Sequence, residues 1–174
     1  IAKSNDDNII STYADVYNLC MNFIKDNSID YKDVAIIAPQ TDIIRFIDYK
    51  YRSDCGHKTT VTFVKKEMLE RISRQSRQAS YEYKRDHDRL EKVEKNRFTM
   101  VTHNLKLSTI QSFKGWEAPT IICIIQNDSL TDDNIVTSPE LIYTGITRAK
   151  ENLLVINIGE NRYHEFFKSK MQSI

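Results

Sequence analysis

Hydrophobic positions along this chain change period several times, and each change marks an element. Residues 1–10 read as a lead-in. Tyr13, Val16, Tyr17, Cys20, Phe23 and Ile24 recur at intervals of three and four, the face of an amphipathic helix. Ser11 or Thr12 can cap its start, and Asn27-Ser28 end it. The run Asp33 to Ala38 (DVAIIA) is a short apolar strand. Pro39-Gln40-Thr41-Asp42 breaks it and opens a second helix, with Thr41 or Asp42 as cap and an apolar face of Ile43, Ile44, Phe46, Ile47 and Tyr51. Helix, strand and helix in succession build parallel α/β sheets. A cap there leaves backbone N–H groups at the C-terminal edge of a strand, where open α/β sheets bind ligands.

Cys55-Gly56-His57 is a turn, and Thr59 to Val64 (TTVTFV) has strand composition. Between Lys65 and Arg97 apolar residues thin out and eleven Lys or Arg face seven Asp or Glu, which predicts one or two solvated helices. Phe98 to Val101 reads as a short strand leading back to the sheet. Leu107, Thr109 and Gln111 then alternate with Ser108 and Ile110, a period of two. A polar loop, Ser112 to Pro119, follows. Thr120 to Ile125 (TIICII) is apolar throughout, as a strand buried on both faces requires. Asn127 to Pro139 reads as a polar surface loop. Glu140 to Lys150 reads as a helix whose Leu141, Ile142, Gly145, Ile146 and Ala149 face the sheet. Leu153 to Ile158 (LLVINI) is a further buried strand, ended by Gly159, and Tyr163, Phe166 and Phe167 mark a closing helix.

Composition narrows this picture only slightly. The 174 residues suffice for one domain with a real core, and a net charge of +1 points to no partner. The excess of +4 in residues 65–97 is local, and a basic helix bearing tyrosines can meet a phosphate backbone. Cys20, Cys55 and Cys123 lack paired spacing, which fits a reducing, cytoplasmic location. No apolar stretch reaches 18 residues, so no membrane span is expected. His57, His87, His103 and His164 show no metal-ligand spacing, and no metal site is expected. The chain has no initiator Met, as a piece of a longer protein would not.

Two clusters carry candidate chemistry. One is Lys114-Gly115-x-Glu117 in the polar loop, and the other is Thr147-Arg148-Ala149 just before a strand. A planar guanidinium is the strongest side-chain donor to a triphosphate, and an arginine supplied from a separate module can gate hydrolysis.

LSTIQSFKGWEAPTII (residues 107–122) resembles motif V of the UvrD/Rep-type superfamily-1 helicases, near T-[IL]-H-x-x-K-G-L-E-[FW]. LIYTGITRAKENLLVI, within residues 140–156, resembles their motif VI, near L-x-Y-V-[AG]-x-T-R-A-x-x-x-L. DVAIIAPQTDIIRFID resembles, more weakly, the strand and helix that open the second RecA-like domain of the same family. The resemblance implies a three-layer RecA-like α/β domain, a mostly parallel sheet flanked by helices with a small basic helical insertion at 65–97. The chain would be the single C-terminal motor domain of an ATP-dependent DNA helicase or translocase, of bacterial or phage type.

The resemblance also implies roles. Arg148 matches the motif VI arginine that reaches the γ-phosphate across the cleft between two motor domains, Glu117 the acid that holds the ribose, and Lys114 and Gly115 the residues beside the phosphates. Thr109, Gln111 and Ser112, with Thr41 on the neighbouring loop, lie where the family contacts single-stranded or partly duplex DNA. Tyr143 and Thr147 match positions that support the arginine. Gln111 stands where histidine is usual, Trp116 where leucine is usual, and Pro39-Gln40 lacks the family's arginine and aromatic residue.

A phosphate-cradling G-x-x-x-x-G-K-[ST] loop is missing: no two of Gly56, Gly115, Gly145 and Gly159 are five apart. No apolar strand ends in a Walker B acid pair. ATP and Mg2+ are therefore expected to bind mainly to an N-terminal RecA-like domain of the same chain, and the present chain alone is expected to be inactive. The alternative is a non-catalytic nucleic-acid-binding or interaction module that keeps the fold and uses the basic 65–97 segment.

Overall fold

In a computed structural model, residues 12–75, 80–126 and 138–171 are described. The lead-in at 1–10 and most of the loop expected at 127–139 lie outside the described residues. Among the described residues five strands form one sheet: β1 (Val34–Ala38), β2 (Thr59–Val61), β3 (Leu105–Thr109), β4 (Ala118–Gln126) and β5 (Ala149–Ile158), in the order β2-β3-β1-β4-β5. All four pairings are parallel. The helices are α1 (Tyr13–Asp26), α2 (Thr41–Cys55), α3 (Lys66–Gln75), α4 (Tyr81–Arg97), α5 (Pro139–Ile146) and α6 (Asn161–Met171).

The sheet separates two apolar layers. On one face α1 and α2 place Val16, Cys20, Ile24, Ile43, Ile44 and Ile47 against Val34, Ile36, Leu107 and Ile122. On the other, Ala35, Ile37, Ile121, Cys123 and Ile125 meet Phe98, Phe113 and Ile142. Every residue of the central strand β1 is buried, and so are all of β4 but Pro119. The three-layer α/β arrangement and the doubly buried strand at 120–125 are thus both present. Parallel pairing makes such strands need cover on each face, which the helices supply.

Local signals set the helix starts. Thr12 caps α1 in a capping box with Asp15, the Thr12 Oγ1 accepting from the Asp15 N–H at 3.2 Å. Ser80 caps α4 and Ser138 caps α5, each hydroxyl accepting from a backbone N–H three residues on, with Pro139 in the first turn of α5. The cap of α2 is Gln40, with no side-chain cap hydrogen bond, rather than Thr41 or Asp42, because Thr41 already has helical geometry. Asp42 instead pairs with Arg45 at 3.0 Å.

Several element bounds differ from the periodicity. The helix expected over 140–150 stops at Ile146, and β5 begins at Ala149, not Leu153. The reason is pairing: Ala149 is taken up by Ala118 of β4, which overrides the helical spacing of its own sequence. Strand β5 is not buried on both faces. It lies at the sheet edge, paired with β4 alone, and Leu153 is exposed. Strand β3 ends at Thr109, so Gln111 belongs to the turn beyond it. Strand β2 ends at Val61, although the Thr62 N–H still bonds to the Leu107 carbonyl at 3.3 Å. Phe98 to Val101 forms no strand; Phe98 is buried against Phe113, and Val101 is exposed.

The basic segment is a helical pair. Its base is tied down by Arg52 of α2, which bonds both the buried Asp48 at 2.8 Å and Glu67 of α3 at 2.9 Å. The Thr59 hydroxyl donates to the same Asp48 carboxylate. These two carboxylates hold the Arg52 guanidinium above its ordinary pKa, the Asp48 bond contributing most. Lys106 is buried within β3, where its ammonium donates to the carbonyls of Lys32 and Thr102. Burial lowers its pKa, against the opposing pull of Asp33 and Asp30.

Candidate nucleotide and nucleic-acid edges

Thr109 and Thr41 stand at one end of the sheet and Glu117 and Arg148 at the other, with Gln111 to Gly115 in the segment between. Ala38 pairs with Thr109, and the Ile110 N–H bonds to the Ala38 carbonyl at 2.9 Å, so Thr109 stands at the C-terminal edge. Thr41 opens α2 just after β1, at the same edge. Register places Ala118 below Thr120, the partner of Val34, at the opposite edge. At about 3.3 Å per residue the two ends are roughly 20 Å apart along the strands. Residues 110–117 make that crossing, and they hold every candidate of the polar loop.

At the C-terminal edge the Thr109 Oγ1 accepts from the Ser112 N–H at 3.2 Å, which fixes the turn. Gln111 is exposed, and Ser112 and Thr41 are half-buried. The turn winds on: the Phe113 N–H bonds to the Thr109 carbonyl at 2.9 Å, and the Trp116 N–H to the Phe113 carbonyl at 3.0 Å. Phe113 is fully buried and anchors the turn. Phe98 stacks edge-on against both Phe113, at 6.1 Å, and Trp116, at 5.7 Å. Trp116 is therefore partly a packing residue.

Within this turn Gly115 has φ +93°, a conformation side chains rarely adopt, and a Cβ there would meet nothing within 4 Å. Lys114 and Glu117 are exposed, and Glu117 directly precedes Ala118 at the N-terminal edge. The Ala118 N–H, one residue on, bonds to the Arg148 carbonyl at 3.1 Å. Glu117 pairs with Lys150 at 3.2 Å. The fold thus brings Glu117 beside Arg148 through the N–H of the next residue, Ala118, although about thirty residues of sequence separate them.

Arg148 sits in the turn between α5 and β5, not in the helix. Its Nε donates to the Thr144 carbonyl at 3.1 Å and its Nη2 to the Thr147 hydroxyl at 3.2 Å. Thr147 in turn donates to the Tyr143 carbonyl at 2.9 Å. Two of the five guanidinium N–H donors are used in this way, which leaves three directed elsewhere. Thr147 supports the arginine through its hydroxyl. Tyr143 contributes its carbonyl; its ring is 67% exposed. Gly145 sets the height of the helix: a Cβ there would lie 3.1 Å from Cys123 Sγ and 3.3 Å from Ile110 Cδ1. Cys123, whose thiol burial pushes up to about 12, is a core residue, not a reactive one.

Sequence reasoning missed Lys150 and Thr144. Nothing in their spacing marks them, since both contacts exist only through the β4–β5 register and the close of α5. On α4, the ligating atoms of His87, Asp88 and Glu91 lie within 4.8 Å of one another. Glu91 is already paired there with Lys95 at 2.9 Å. No helix among the described residues is long and apolar enough to cross a membrane.

The loop that crosses from β3 to β4 thus meets the turn carrying Arg148 at the start of β5. Residues 104–156 match the family model of the UvrD-like helicase C-terminal domain, and that segment contains both motifs on which the resemblance was read. Among solved structures, the chain is similar to the C-terminal domain of a possible DNA helicase from Lactobacillus plantarum WCFS1, at 18% identity and a TM-score of 0.43, covering 84% of this chain and 66% of that one. It is also similar to the C-terminal part of the Fun30 ATPase domain, at 12% identity and a TM-score of 0.45, covering 94% of this chain and 47% of that one. None of the curated proteins compared with the chain matches it.

Proposed function

We propose that the chain is the second, RecA-like motor domain of a longer ATP-dependent DNA helicase or translocase. In that reading Arg148 reaches the γ-phosphate of ATP bound mainly on an N-terminal motor domain. Lys114, Gly115 and Glu117 line the same cleft, and Thr109, Gln111, Ser112 and Thr41 contact the backbone of single-stranded DNA. The observation that carries it is the Ala118–Arg148 hydrogen bond, which joins the Lys114–Glu117 turn to the arginine turn at one sheet end.

The residues present suit half of a triphosphate site. Arg148 keeps three N–H donors, held by two bonds to its own turn. Gly115 leaves open space where a Cβ would stand. Release of Lys150 would free the Glu117 carboxylate to accept ribose hydroxyls. ATP would supply the reacting phosphoryl group and Mg2+ would neutralise part of its charge, while Arg148 would offset the negative charge that develops in the transition state. The Thr147 hydroxyl holds the guanidinium so that little side-chain freedom is lost on engagement.

The two edges support a division of labour. Strand contacts at the C-terminal edge and phosphate contacts at the N-terminal edge are joined by one short segment, so a shift at one end would pull on the other. In the full-length protein Arg148→Ala should lower strand-stimulated ATP hydrolysis by about 10³-fold or more, with a far smaller change in nucleotide binding. The chain alone should show no turnover above background. Equal losses in binding and rate would assign Arg148 a structural role, and turnover by the chain alone would overturn the division between domains.

A further inference from the structure

Helix α4 sorts its charges by face. At 100° per residue, five of its six cations (Lys84, Arg85, Arg89, Lys92 and Lys95) fall within an arc of about 140°. One acid, Asp88, shares that arc; Glu82, Asp86, Glu91 and Glu94 lie outside it. The structure divides the helix along the same line. Lys84, Arg85, Arg89, Lys92 and Lys95 are all exposed, whereas Tyr83, His87, Leu90, Val93 and Glu94 are half-buried on the other side. A helix that merely stayed in solution would interleave its signs, as i,i+4 pairing favours.

Three of these cations are uncommitted. Among the described residues Lys84, Arg89 and Lys92 make no ion pair, while Arg85 contacts the adjacent Asp86 at 3.3 Å and Lys95 holds Glu91 at 2.9 Å. Arg85, Arg89 and Lys92 follow one another at about one cation per turn, or about 5.4 Å. Tyr81 heads the same stripe, 80% exposed. No aliphatic residue interrupts the arc, so a protein partner would find no hydrophobic anchor. A phosphate backbone needs none, because charge and counterion release supply its affinity.

We propose that this face of α4 is a second nucleic-acid contact, outside the edge formed by Thr109, Gln111, Ser112 and Thr41. Its ligand is the phosphate backbone, with the Tyr81 ring placed to stack on an exposed base. The proposal stands on the helix alone and does not need the motor reading.

The test is fluorescence anisotropy of the chain with a labelled oligothymidine and with a duplex of equal length, over a range of salt. Arg85→Glu/Arg89→Glu/Lys92→Glu should weaken binding at least tenfold at low salt. The neutral variant Arg85→Gln/Arg89→Gln/Lys92→Gln, which preserves helix propensity, should weaken it less and reduce the single-strand salt slope by about 2, from ~0.7 per lost contact. Loss for single strands alone, for duplex alone or for both supports the contact and names its form. Unchanged affinity and slope for both ligands in folded variants, or no binding by the parent chain, overturns it. Gln111→Ala/Ser112→Ala should leave the effect of the α4 variants in place, which separates this contact from the loop edge.

Discussion

Arg148 and Arg89 are both candidate phosphate ligands, and the molecule presents them in opposite ways. Arg148 projects from a turn whose backbone is bonded to the sheet and whose helix touches the core through Gly145. Its guanidinium is restrained by Thr144 and Thr147. Arg89 lies on α4, a helix with no fully buried residue, among neighbours of like charge. The first arrangement fixes one geometry and suits recognition of charge that develops at one place. The second fixes only a face and suits a ligand whose phosphates recur. Precision here comes from core packing, and tolerance from its absence.

The largest test of that contrast is core truncation. Phe113→Ala removes a fully buried ring under the crossing loop and should cost about 3–5 kcal/mol in urea unfolding. Leu90→Ala on α4 should cost less than about 1.5 kcal/mol, because Leu90 is only half-buried. Equal losses would erase the distinction between the two regions.

Smaller but more pointed is Gly145→Val. The added side chain must displace Cys123 Sγ, 3.1 Å from the position of its Cβ, and overpacking of this kind costs about 1–3 kcal/mol. A double-mutant cycle with Cys123→Ala should show a favourable coupling of about 0.5 kcal/mol or more. No coupling would mean that another neighbour sets the height of α5.

The smallest effect is expected at the cap of α4. Ser80→Ala removes the hydroxyl that accepts from the Tyr83 N–H and should cost that helix about 1 kcal/mol. Hydrogen exchange should quicken in the first turns of α4 while β1 and β4 amides keep their protection. Faster exchange throughout would tie the arm to the core more closely than its burial suggests.

The chain by itself determined most of what depends on neighbours in sequence. Period-three-and-four spacing marked α1 and α2, unbroken apolarity marked β4, and loss of apolar residues marked the α3–α4 pair. The signatures around Lys114 and Arg148 were legible too, since motif spacing is local; the match over 104–156 contains both. Tertiary structure decided the rest. Ala149 and Lys150 read as helix and became strand, because pairing with Ala118 outweighs helical propensity at a helix end. LLVINI read as buried and lies at an edge, because nothing in a strand's own sequence says whether a second neighbour will pair with it. Phe98 read as strand and serves instead as an aromatic clamp on Phe113 and Trp116. The separation of the candidates into two ends of the sheet was likewise invisible, because register is a property of paired strands and of no strand alone.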